Sequence, residues 1–175
     1  MSESLPPEID LLVNLKALHA KVDTHAKKTV ETSPDRFACR AGCDGCCQTE
    51  RHVMDVEFDL LKTHFEMRGT RPEPSSPEGP CALLVDGRCA AYDARPLICR
   101  SHGLPLIMEG LRDVCPLNFV GVDLGSLPDE AVFSVDTATA ILVVVNALYC
   151  QLTGGDPDRR RPVSDLLQLT GETAP

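Results

Sequence analysis

The chain has no tryptophan, two tyrosines and five phenylalanines among 175 residues. A core with so few large rings has to be built from Leu, Val, Ile and Ala. Positive charge is also scarce: Lys and Arg number 17 against 26 Asp and Glu, giving a formal net charge of −9. Binding to a nucleic-acid backbone needs a basic face. Lys27-Lys28 and Arg159-Arg160-Arg161 are too short and isolated to make one, and they read as a solvated helix end and a solvated loop. No nucleic-acid partner is expected, and the acidic balance also disfavours anionic membranes. The first residues carry no basic stretch followed by an apolar run, so no signal peptide is expected. The apolar stretch 140–145, with its flanks, reads as too short and too interrupted to span a bilayer. The expected address is the cytoplasm, with no membrane partner.

Nine cysteines stand out against this background. A chain of this length can bury a real core and needs no disulfides to fold. In a reducing compartment, clustered cysteines read as metal ligands or redox groups. Four of them lie within nine residues, Cys39-x3-Cys43-x2-Cys46-Cys47. Three more follow as Cys81-x7-Cys89-x9-Cys99, and Cys115-Pro116 comes later. Thiolates two or three residues apart can turn toward one ion or one iron–sulfur cube, because a short loop spans the gap without strain. Gly42 and Gly45 let that loop bend. Cys150 is alone on an apolar helical stretch and reads as a packing residue.

The spacing Cys39-x3-Cys43-x2-Cys46 equals that of radical S-adenosylmethionine enzymes. Those enzymes need a large partial barrel of alternating strands and helices, and this chain has neither the length nor the pattern.

The length suits a single domain over 1–175, and no internal repeat or domain boundary is visible. A helix is expected over 8–31, with Ile9, Leu12, Leu15, Leu18 and Val22 at helical spacing, Pro6-Pro7 ahead of it and Ser33-Pro34-Asp35 ending it. A second helix is expected at 55–68, capped by Asp55 and stopped by Gly69. The Pro- and Ser-rich stretch 70–80 reads as a connector. Asp86-Gly87 between short apolar runs predicts a hairpin over 81–91, which would bring Cys81 and Cys89 close. A turn at Asp93-Ala94-Arg95-Pro96 should lead into a short helix reaching Cys99, and a second hairpin is expected over 104–114, turning at Glu109-Gly110. A helix at 136–152, capped by Asp136 and closed by Gly154-Gly155, is apolar all round at 141–145 and is expected to be buried there. A last short helix is expected at 164–169.

The segments RAGCDGCCQ, CALLVDGRCAAYDARPLICRSHGLPL and CPLNF carry a family resemblance. They resemble the YkgJ-type cysteine-cluster family, whose CxxCxxCC domain is described as chelating zinc or iron. The resemblance covers about residues 36–120. It implies Cys39, Cys43, Cys46, Cys47, Cys81, Cys89, Cys99 and Cys115 as metal ligands. The family signature has two residues before the second cysteine, whereas this chain has three. The resemblance extends at domain level to flagellin lysine-N-methylases, which are thought to use a 4Fe–4S cluster; fold likeness alone does not carry function.

Arg100 and His102 are the candidate cofactor-binding side chains, since both lie within three residues of Cys99, although His102 reads first as a capped loop residue and otherwise as a ligand or a proton donor. Arg100 could equally pair with Asp93 or Asp86, and Arg95 reads as structural. His19, His25, His52 and His64 read as surface or core residues. The expected fold is α-rich α+β, with helices packed around an irregular cysteine-bearing metal centre and one or two short hairpins. The expected function is metal binding in an accessory, redox or metal-handling role. The expected cofactor is an iron–sulfur cluster, with 4Fe–4S ahead of zinc. A methyl-transfer or redox enzyme and a structural zinc-binding interaction module are the alternatives. The metal is the expected partner, and the sequence identifies no protein partner.

Overall fold

The computed structural model describes residues 10–70 and 80–168. Four α-helices carry most of the framework: α1 (Val13–Thr32), α2 (Asp55–Glu66), the short α3 (Leu97–Ser101) and α4 (Val135–Thr153). The strands are all two or three residues long. They are β1 (His52–Val53), β2 (Leu84–Val85), β3 (Arg88–Cys89), β4 (Leu106–Met108), β5 (Leu111–Asp113), β6 (Phe133–Ser134) and β7 (Arg161–Pro162). The result is the α-rich α+β architecture read from the sequence. The connector expected at 70–80 lies almost wholly outside the described residues, as do Pro6-Pro7, the first residues of the 8–31 helix and Leu169.

Both expected hairpins form. β2 and β3 pair antiparallel, with Leu84 opposite Cys89. Their turn places Asp86 at φ +49° and Gly87 at φ +72°, the left-handed pair that a two-residue hairpin requires. β4 and β5 pair across Glu109 and Gly110, at φ +51° and +78°. Two pairings went unread in the sequence: β6 runs parallel to β4, and β1 pairs antiparallel with β7. Strands of two residues carry no periodicity to recognise.

Three helix details differ from the sequence reading. The first helix begins at Val13 because the Asp10 carboxylate accepts the Leu12 amide (3.0 Å) and holds Lys16 (2.8 Å). Met54, not Asp55, occupies the N-cap position of α2, and its amide donates to Glu57 (3.4 Å). Asp55 is the first helical residue, where a carboxylate suits the positive end of the helix, and it is buried against Arg159 (2.6 and 3.0 Å). Likewise Ser134, not Asp136, caps α4 by accepting the Thr137 amide (3.3 Å), while Asp136 accepts the Glu109 amide (2.8 Å). The expected glycine closure of α4 holds, with Gly154 at φ +74°.

The middle of α4 is not buried all round. Leu142 and Val145 are inside, but Ile141 is 42% exposed, Val144 59% and Leu148 48%. The helix packs on α1, α2 and β4. With 19 residues and a mean hydropathy of 1.5, α4 is long and apolar enough, by length and composition, to cross a membrane, which the shorter stretch read in the sequence is not.

Two core clusters result. One joins Leu15, Leu18 and Val22 of α1 to Val56 and to Leu142, Val145, Tyr149 and Cys150 of α4. The other joins Val53, Phe58, Leu61 and Phe65 to Cys81, Ala82, Leu83, Ala91, Ala94, Val163 and Leu166, with Cys47 and Cys89 against its edge. Leu60 of α2 touches both. The cysteine loops are therefore anchored on the second cluster rather than suspended in solvent.

Candidate metal centre

All nine cysteines are free thiols. Eight come from short, tightly turned segments. Cys43 closes a turn in which its amide donates to the Arg40 carbonyl (2.9 Å), with Gly42 at φ +87°. Cys46 and Cys47 lie in one turn of 3₁₀-helix, Gly45–Cys47, and their sulfurs are 3.9 Å apart. The Cys81 amide donates to the Cys47 carbonyl (2.8 Å), which ties the second cysteine group to the first. The β2–β3 hairpin delivers Cys89, and α3 delivers Cys99. The N-terminus of α3 is fixed by the buried Glu57, whose carboxylate accepts the Leu97 amide (2.7 Å).

The cysteines influence one another electrostatically. Cys47 is acted on by Cys46, Cys81 and Cys89, and Cys99 by Cys81, Cys89 and Cys46. Cys39 is acted on by Cys43, Cys115 and Cys46. Cys46 thus acts on cysteines of both groups, while Cys150 lies in the apolar cluster and feels Asp55, Arg159, Asp156 and Asp59 instead. Among the described residues, no three Cys, His, Asp or Glu side chains already stand close enough to enclose an ion.

Burial pushes the Cys47 and Cys99 thiols up to about 12, with the charges of neighbouring cysteines adding to it. Burial also raises Cys39, Cys81 and Cys89. A cluster of desolvated thiols disfavours the thiolate until a cation balances it, and a soft divalent ion does that directly. This donor set fits zinc or iron by ligand chemistry.

Two polar residues at the site escaped the sequence reading. Arg51 hydrogen-bonds the Cys46 carbonyl, and its charge favours the thiolates of Cys81 and Cys99. Its position four residues past the double cysteine was the available signal. Asn118, 1% exposed, donates to the Cys39 sulfur (3.2 Å) and the Gly103 carbonyl (2.7 Å) and accepts the Ala38 amide (2.8 Å). The Asn in CPLNF pointed to it.

The two expected cofactor-binding side chains are placed differently. His102 is exposed at the end of α3, and burial followed by the Arg51 charge lowers its pKa, so it shares the Arg51 side of the cysteines. Arg100 reaches α1: its guanidinium donates to Asp23 (2.6 Å), to the Arg95 carbonyl (2.7 Å) and to the Asp93 carbonyl. Those contacts support a structural tie between α3 and α1. Arg95 stacks on the Tyr92 ring at 3.5 Å, and its charge also reaches Cys89.

Comparison with known proteins adds three findings. No solved structure matches the chain. An isoleucine–tRNA ligase of Exiguobacterium sibiricum is 33% identical over 82 residues, which is 47% of this chain and 9% of that protein. The chain therefore spans a small part of that relative's length. The similarity to flagellin lysine-N-methylases gains no support from these comparisons. Residues 38–116, which hold eight of the nine cysteines, match the family model described as "CxxCxxCC: Putative zinc- or iron-chelating domain", and that match supports metal binding by this region.

Proposed function

We propose that this protein is a metal-handling or metal-stabilised protein whose main centre is held by Cys46, Cys47, Cys81, Cys89 and Cys99. The observation that carries the reading is the Cys47–Cys81 backbone tie, which joins the two cysteine-bearing segments, with Cys47 and Cys99 each within electrostatic reach of Cys46, Cys81 and Cys89. Burial keeps the Cys47 and Cys99 thiols neutral, and a soft cation would hold them as thiolates.

The 3.9 Å between the sulfurs of Cys46 and Cys47 bears on which metal. Two ligands at opposite ends of a tetrahedral edge around zinc, each at ~2.3 Å, are separated by ~3.8 Å. In an iron–sulfur cube each cysteine takes its own iron, so neighbouring ligand sulfurs stand well apart. The adjacent pair is compatible with two ligands of one ion, and zinc is taken as the first reading. An iron–sulfur cluster is the second reading. It is favoured by the surplus of sulfurs over four and by Arg51, whose cation offsets the charge of a thiolate-rich group.

Anaerobic purification followed by metal analysis and a visible absorption spectrum tests both. Stoichiometric zinc with no visible band is the expected result. Iron with sulfide and a broad visible absorption would establish the second reading. Fully folded protein with neither metal, and with all thiols reactive, would end both.

A further inference from the structure

α4 turns Ala138, Leu142, Val145 and Tyr149 into the core. Away from the core it carries a second apolar row. Ile141, Val144, Leu148 and Leu152 are 42%, 59%, 48% and 68% exposed. They follow one another at intervals of three, four and four residues. That spacing draws a single seam along a helix, into which the side chains of another helix can insert. Val143 is exposed as well, but it lies about 100° round the helix from Val144 and stands off the seam.

The charge pattern says what can cover this seam. Between Asp136 and Asp156 the sequence has no charged residue, although the chain as a whole carries a formal charge of −9. Two copies of so acidic a molecule repel each other over most approaches and meet at least cost through an uncharged face. A partner for the seam must itself be apolar and uncharged, and α4 meets that requirement. Turned end for end about a two-fold axis, it sets the same four residues against themselves in an isologous contact. A bilayer suits this helix less well. Its core side holds Asn146, which accepts the Val56 amide (3.1 Å) and donates to the Pro157 carbonyl (3.0 Å), and Tyr149, which hydrogen-bonds Asp59. Moving the helix into lipid would break those bonds without replacing them, and α4 has no Lys or Arg to seat it among headgroups.

We propose that α4 is the contact between two copies of this chain, paired antiparallel through Ile141, Val144, Leu148 and Leu152. A helix of 19 residues is ~28 Å long and ~10 Å across. One such seam covers less than the ~800 Å² per partner of a standard interface. The dimer is therefore weak and concentration-dependent, and salt strengthens it by screening the acidic faces.

Sedimentation velocity of the full chain, kept reduced and anaerobic, reads the association from micromolar to near-millimolar concentration. The wild type should pass from monomer to dimer over that range, at lower concentration in high salt. Val144→Glu places a charge in the middle of the seam and should weaken association about 10-fold or more. Val143→Glu adds the same charge off the seam and should leave both association and metal content nearly unchanged. If Val144→Glu does not fold by circular dichroism, Leu148→Lys tests the same seam. A wild type that stays monomeric throughout would overturn the proposal. So would a dimer that both glutamate variants weaken equally, or one that salt dissociates, since either would place the contact on another face. Vesicles of phosphatidylcholine provide the remaining arm. The wild type should stay in the supernatant, and vesicle binding lost in Val144→Glu would assign the seam to lipid instead.

Discussion

At the scale of single residues, Cys150 and Cys99 have the same side chain and opposite surroundings. Cys150 is 2% exposed within the α1–α2–α4 cluster, while Cys99 is half-buried among other thiols. Replacing Cys99 with Ser should lower metal content and melting temperature together, because a domain linked to its metal loses folding energy with it. Cys150→Ala should leave metal content unchanged and cost about 1 kcal/mol or less. Metal analysis and thermal melts of the two variants check this, and metal loss in Cys150→Ala would contradict it. A second buried group has a pH signature. His19 is 4% exposed, its Nε2 has no hydrogen-bond partner, and its pKa is lowered from 6.5 to about 4 by burial first and then by the Arg100 charge. Asp23 raises it in part, and Arg95 lowers it further. At neutral pH the ring is therefore uncharged, and the 4.0 Å approach to Glu57 is not an ion pair. The unfolded chain takes up the proton first as pH falls below 6.5, so the His19 contribution is full above that value and lost progressively down to about 4. Between pH 6.5 and 5 the loss is on the order of 2 kcal/mol. Urea midpoints at pH 7 and 5 should fall more for the wild type than for His19→Leu; equal falls would show that His19 is not the group involved.

At the scale of elements, the joints between helices are polar and buried, and this is where the sequence was least readable. Asn146, 0% exposed on α4, accepts the Val56 amide at the start of α2 (3.1 Å) and donates to the Pro157 carbonyl (3.0 Å). Asn146→Leu fits an apolar helix by composition, yet it leaves a buried amide and a partly buried carbonyl without partners. At about 1–3 kcal/mol for each such group, the variant should be about 2–4 kcal/mol less stable by urea denaturation, with its metal content kept. The elements themselves were legible where local rules dominate. Asp86-Gly87 and Glu109-Gly110 marked both hairpins, and Gly154 marked the end of α4. The cysteine spacing marked the region that the family model covers. The caps were misread because Asp55 and Asp136 have distant partners, Arg159 and the Glu109 amide. Such partners are set by tertiary approach and leave no local pattern. The same holds for Arg51 and Asn118, whose contacts with the cysteine loops depend on how separate segments meet. The burial of α4 was overestimated because apolar composition does not say how many neighbours a helix has.

At the scale of the whole molecule, the two core clusters differ in what they depend on. The cluster around Leu15, Val56, Leu142 and Tyr149 includes no candidate ligand, and its one thiol is Cys150. The cluster around Phe58, Leu61 and Val163 includes Cys81, with Cys47 and Cys89 packed against it. Metal removal should therefore act unequally. Without the metal, the second cluster loses the bonds that would draw the 45–47 turn, the β2–β3 hairpin and α3 together, whereas the helical cluster keeps its apolar contacts. Stability in proteins is distributed in such units, and hydrogen exchange reads them separately. On addition of a strong chelator, amides over 81–99 should lose protection first, including the Cys81 amide that donates to Cys47 and the Ala90 amide that donates to Leu83. Amides over 138–150 of α4 should keep most of theirs. The order is measurable by mass spectrometry of exchanged peptides with and without chelator. A uniform loss over both regions would mean that the metal, through Leu60 and α2, holds the whole chain in one cooperative unit. No change in either region would mean that the cysteine loops are held by packing and backbone bonds alone, and the proposed centre would then have no structural role.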